Sequence, residues 1–149
     1  MPNNTKMKNH LLLLLLSVTF LFSSCEKTEN NPTLGDLVAG EYKGISIVLG
    51  GTEIPLPLES GTNFLNLNFT IFRTTEITAD LTLIFEEKTN GILKTEKEEH
   101  KGLILNRKPD GGISLMEDGK ELAVVSGQNI EMTVVIEDLT TTFKGLKKY

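Results

Sequence analysis

Apolar and polar positions alternate strictly over three stretches of this chain. Between Phe64 and Phe72, the residues Leu65, Leu67, Phe69 and Ile71 fall on one face, with Asn66, Asn68 and Thr70 on the other. From Ile77 to Glu86, Ile77, Ala79, Leu81, Leu83 and Phe85 oppose Thr78, Asp80 and Thr82. Between Asn129 and Glu137, Ile130, Met132, Val134 and Ile136 oppose Glu131, Thr133 and Glu137. A period of two is that of a strand with one buried and one wet face. Past the amino-terminal region, no segment sustains a helical period.

Shorter strands are expected between these. Glu41 to Leu49 carries Ile45, Ile47 and Leu49 on one face. Gly102–Asn106, Gly112–Glu117, Lys120–Ser126 and Thr140–Lys147 supply the rest. The links are turn chemistry: Gly50-Gly51, Asn90-Gly91, Asp110-Gly111-Gly112, Asp118-Gly119 and Ser126-Gly127. Asn-Gly and Asp-Gly pairs supply the positive φ angles of tight hairpins, and Asp118-Gly119 is the firmest hairpin among them. The expected fold is all-β, with about eight antiparallel strands. An open sheet of that size leaves long edges and a bare apolar face, so it closes as a barrel or doubles into a sandwich. Because nearly every link is local, the pattern favours a small up-and-down barrel. A transmembrane barrel wants an apolar outer band with aromatic girdles. This chain has no Trp, two Tyr and outward faces of Asn, Thr, Asp and Glu, which excludes that reading.

The amino-terminal region follows a different pattern. Lys6, Lys8 and His10 precede an apolar run from Leu11 to Phe22, and Ser23 and Ser24 lead into Cys25, the single cysteine. The run falls short of the roughly 20 residues a membrane-spanning helix needs. It matches the apolar core of a secretory signal, about 7–15 residues. Translation beginning at Met1 or at Met7 fits equally.

Phe22-Ser23-Ser24-Cys25 resembles the lipobox of bacterial lipoproteins, with Phe22 where Leu is usual. That resemblance implies residues 1–24 as a signal peptide, helical only in the precursor. It implies a lipid on Cys25 and hence a membrane partner. One acyl chain holds weakly, at about 0.8 kcal/mol per buried methylene, whereas two or three hold stably. Glu26 is not the Asp that signals inner-membrane retention in enteric bacteria. The resemblance therefore leans to the outer membrane of a Gram-negative bacterium, facing either the periplasm or the outside. Residues 25–36 then form a polar tether, and residues 37–149 the folded domain.

Composition narrows the function classes. Loss of the signal leaves 125 of the 149 residues and, without Lys6 and Lys8, 13 basic against 20 acidic side chains. Such an acidic domain lacks the basic patch that a nucleic-acid binder requires. With Cys25 lipidated, no disulfide or thiolate metal site can form.

Catalytic constellations are poorly supplied. The mature chain has one histidine, His100, sharing a strand face with Glu96 and Glu98 inside the mixed-charge run Lys94 to Lys101. A metal site would want shielded ligands. The run reads instead as a solvated hairpin tip or edge strand, whose mixed charges block edge-to-edge pairing. Asp80, Ser114 and Ser126 lack partners for acid–base or nucleophilic work. No catalytic residue, metal or cofactor is expected.

Leu37 to Gly44 resembles the opening of calycin-like, lipocalin-type barrels in bacterial lipoproteins. Gly40 and Tyr42 match the Gly-x-Trp start of that family, with Tyr for Trp. The resemblance implies that Tyr42 plugs one end of the barrel beneath a late basic residue, for which Lys144 is the nearest candidate. It also implies a small apolar ligand at the barrel mouth. Ile54, Leu56 and Leu58 alternate with Pro55 and Pro57, which cannot donate ladder bonds. That segment reads as a lid, an apolar edge for a partner, or a filler packed on the core. Ile54, Leu56, Leu58 and Tyr42 are the candidate binding residues. An envelope lipoprotein that docks on another protein, without a small ligand, is the alternative, and an enzyme is a distant third.

Overall fold

The computed structural model describes residues 31–149 apart from Glu137; the signal segment, Cys25 and the first part of the tether lie outside the described residues. Among the described residues, one short helix, α1 (Leu34–Val38), precedes ten strands. These are β1 (Gly40–Leu49), β2 (Thr52–Pro55), β3 (Leu58–Ser60), β4 (Asn63–Arg73) and β5 (Thr78–Thr89). They continue with β6 (Ile92–Arg107), β7 (Ile113–Glu117), β8 (Lys120–Ser126), β9 (Asn129–Ile136) and β10 (Leu139–Lys147).

Every pairing is antiparallel, and β4 to β10 follow one another as hairpin neighbours. β10 pairs with β1, and β1 closes on β4, so eight strands form a closed barrel. The expected all-β, up-and-down barrel is what the chain forms. β2 and β3 are additions at one rim, where β1 and β4 part. The second half of β1 pairs with β2, and the first residues of β4 pair with β3.

The strict alternations fold as their period requires. Leu67, Phe69 and Ile71 on β4, Ala79, Leu81 and Leu83 on β5, and Ile130 and Met132 on β9 are all at most 2% exposed. Leu103, Leu105, Ile113, Leu115, Ala123 and Val125 complete the filled interior. Both hairpin turns read as Asn-Gly and Asp-Gly have the positive φ pairs of type I′: Asn90-Gly91 at 54° and 82°, Asp118-Gly119 at 49° and 77°.

Three elements differ from the sequence pattern. On β1, Tyr42 and Gly44 turn inward and Ile45 and Leu49 are exposed, whereas Ile47 packs on the core and Ser46 lies on the outer face beside its partner Lys144, covered by Glu53. The phase breaks at a register shift between Gly44 and Ser46, where β1 leaves β4 for β2. Ile77 lies outside β5 and is exposed. The third is α1, which begins inside the segment read as tether. Five residues are too short to display a helical period, and the helix is held by its cap instead. Thr33 Oγ1 accepts from the Asp36 amide at 3.3 Å, and the Thr33 amide donates back to Asp36 Oδ2 at 3.0 Å. Hydrogen bonds from the Thr33 hydroxyl and amide, with help from the Arg73 guanidinium, hold the Asp36 carboxyl below its usual pKa. Val38 is fully buried, with Leu34 and Leu37 packed beside it on the core at this end of the barrel.

Close packing at the seam depends on glycine. Gly44 and Gly145 face each other across β1 and β10. A Cβ on Gly44 would lie 2.6 Å from the Leu67 carbonyl, and one on Gly145 would lie 2.8 Å from Cε2 of Phe69. The side chains of β4 therefore lie directly on the paired backbones. Gly145→Ala is expected to destabilise the domain by about 1–3 kcal/mol through overpacking. Denaturant unfolding of the full chain, compared with wild type, measures the loss.

Candidate functional site

The two ends of the barrel are built differently. At the α1 end the chain is sealed. Tyr42 is fully buried, and its hydroxyl donates to the Val38 carbonyl at 2.6 Å. Lys147 Nζ sits 5.6 Å from the centre of the Tyr42 ring and donates to the Leu37 carbonyl at 3.3 Å. A cation over the ring and on the last carbonyls of a helix is favourable on both counts. The basic residue over Tyr42 is thus Lys147. Lys144 instead reaches Glu53 Oε1 at 3.2 Å, because β10 alternates and Lys144 lies on the opposite, outward face. Hydrogen bonds from Ser46 and then Lys144 hold the Glu53 carboxyl below its usual pKa.

The other end is a mouth with an uneven rim. β5 and β6 run on past their neighbours: β6 pairs with β7 only over Ile104–Arg107, whereas β5 accompanies it from Ile92 onward. β4 and the short β3 follow β5, so strands β3 to β6 project as a curved sheet. The lumen beneath is closed by Phe85 and Phe143, whose rings meet edge to face at 5.4 Å and 72°. That geometry suits the ring quadrupoles.

Above this aromatic floor, the rim carries open grooves. One of about 380 Å³ is lined by Leu58, Phe64 and Leu65, with Glu87, Lys88 and Thr89 on its polar side. A smaller one of about 140 Å³ continues over Leu65 and Phe85 to Lys94 and Glu96. Leu65 and Glu87 are common to both. Lys94 and Glu96 form an ion pair, and the hydrogen bond to Glu96 raises the Lys94 pKa. The grooves therefore combine an apolar floor with a few charged groups at the edge, the usual make-up of a ligand-binding cleft.

The expected binding residues are divided among four environments. Leu58 lies on β3 and is 45% exposed, at the wall of the larger groove. Ile54, half-buried on β2, pairs with Ile47. Leu56 is buried; its amide donates to the Ile45 carbonyl at 2.8 Å, and its side chain comes near Gly44. The Pro-flanked segment is thus filler at Leu56 and rim at Leu58. Tyr42 pairs with Phe69 and Leu58 with Leu65, four residues away along β4. Tyr42 belongs to the sealed end and is not brought to the grooves.

His100 is wedged between two carboxylates. Nδ1 lies 2.9 Å from Glu117 Oε1, and Nε2 lies 3.2 Å from Glu98 Oε1 without hydrogen-bond geometry. Among the described residues, no group of three or more His, Cys, Asp or Glu side chains is placed to hold a metal ion.

Pattern reading placed Leu65 and Phe85 in the core but did not place Phe64 and Ile92 at the rim. An apolar pair, Ile92-Leu93, directly after the Asn90-Gly91 turn was the available signal. Comparison with known proteins finds no matching family model, curated protein or solved structure.

Burial pushes the Tyr42 hydroxyl up to about 12. In the unfolded chain it ionises near pH 10, so between about pH 10 and 12 the unfolded state binds fewer protons, and stability falls as pH rises. Tyr42→Phe should remove that part of the alkaline loss, read from denaturant midpoints across the window. Near neutrality the same change should cost about 1–2 kcal/mol, since it strands the Val38 carbonyl.

Proposed function

We propose that this chain is a lipid-anchored envelope protein with a calycin-like barrel, which binds a small apolar ligand on its mouth rather than inside its lumen. The observation that carries this reading is the pairing of a filled interior with an apolar groove of about 380 Å³ on the projecting sheet. An eight-stranded barrel has room for side chains or for one small ligand, and here side chains occupy it. Leu58, Phe64 and Leu65 would hold the apolar body of the ligand. Glu87 and Lys88 would face its polar end or solvent.

Anchoring rests on the lipobox-like Phe22-Ser23-Ser24-Cys25, and the outer-membrane placement on Glu26. A second reading, docking on another envelope protein, is favoured by the exposed apolar side chains Leu49, Val135, Ile136 and Leu139 on the same rim. Clustered exposed apolar residues are typical of such surfaces.

Titration of the full chain with anilinonaphthalene sulfonate tests the ligand reading. Saturable binding is expected, about tenfold weaker in Leu58→Glu because a buried charge costs at least that much. Equal affinity in the two proteins would overturn it. The anchor is tested separately: Cys25→Ala should lose radiolabelled palmitate and leave the membrane fraction, and unchanged fractionation would refute lipidation.

A further inference from the structure

From Ile92 to Leu103, β6 has a strand on one side only; among the described residues none pairs with its other edge. Such an edge presents a row of free backbone donors and acceptors. Two of the most exposed large apolar side chains, Ile92 at 74% and Leu93 at 57%, sit on it. The remaining residues, Lys94-Thr95-Glu96-Lys97-Glu98-Glu99, are mostly charged.

The charges decide what can pair there. In an antiparallel pair formed by two copies about a two-fold axis through the sheet, directly opposed residues share a face, and like charges directly opposed are destabilising. Centring on Lys94, Glu96, Lys97 or Glu98 sets that residue against its own copy, charge on like charge. Centring on Thr95 does not. There Thr95 meets Thr95, Lys94 meets Glu96 on both sides, Leu93 lies by the aliphatic stem of Lys97, and Ile92 opposes Glu98. The paired stretch ends at Glu98, two residues before His100, which Glu117 of β7 contacts. β7 therefore does not obstruct it.

We propose that the free edge of β6 is a self-association surface, taking the same edge of a second copy with Thr95 on the two-fold axis. Among registers centred from Lys94 to Glu98 the charges leave only this one open, and a centre on Ile92 or Leu93 would run the pairing into the Asn90-Gly91 turn. The Lys94–Glu96 ion pair within each strand is exchanged for two across the interface. The two projecting sheets then join edge to edge, with their grooves on one side.

The test is sedimentation equilibrium of the full chain in density-matched detergent, with both charges reversed in turn. Wild type is expected to dimerise. Lys94→Glu and Glu96→Lys each place two like pairs across the interface, and each should self-associate about tenfold more weakly. Mixed together, these two variants restore both opposite-charge pairs and should form a heterodimer. Both substitutions are on exposed side chains, and circular dichroism checks that each variant keeps the barrel. A monomeric wild type would overturn the proposal and leave the edge to a strand of a different protein. So would variants that dimerise as wild type does, or a mixture that stays monomeric.

Discussion

The barrel depends on the seam between β1 and β4. Four residue pairs, Gly40–Ile71 through Lys43–Asn68, turn what would be an open sheet into a cylinder. Closure removes the two long edges at once and makes one face of every strand an interior. Gly44 and Gly145 let Phe69 and Leu67 lie on the backbone just beyond those pairs. Where the seam ends, β1 and β4 diverge, and Leu56 fills the opening between them. The Pro-flanked segment is thus explained by the seam: a short filler is needed there, and the prolines beside Leu56 carry no amide hydrogen that would demand a ladder partner.

Asymmetry between the two ends follows from strand length. At the sealed end the strands finish together, and α1, Tyr42 and Lys147 cover them. At the mouth β5 and β6 continue while β7 stops at Glu117 and β8 begins at Lys120. The mismatch creates both features of functional interest, the grooves on the projecting sheet and the unpaired edge of β6. Neither requires an unusual residue. Each follows from a hairpin longer than its neighbours.

Much of this was legible in the residues. Alternation in β4, β5 and β9 and the Asn-Gly and Asp-Gly turns define inward faces and hairpins, because a period of two leaves a strand little choice of face. Mixed charge from Lys94 to Lys101 marks an edge, since charged side chains are tolerated on both faces only where no neighbour covers them. The phase of β1 was not legible. By period Ile45, Ile47 and Leu49 share one face, and only the register shift where β1 leaves β4 for β2 splits them, so that Tyr42 and Gly44 face inward before it and Ile47 after it. Nor was Lys147 legible over Lys144, because that choice rests on which face of β10 meets Tyr42.

The sequence by itself determined an all-β chain of antiparallel hairpins and favoured a barrel, through side-chain period and turn chemistry that act within a few residues. It also carries the lipobox-like Phe22-Ser23-Ser24-Cys25, a local signal that needs no fold. The tertiary structure alone decided which end is sealed, where the apolar residues of 54–58 go, and that β6 outruns β7. Those outcomes depend on pairings between residues far apart in the chain, and no local pattern encodes the length of a partner strand.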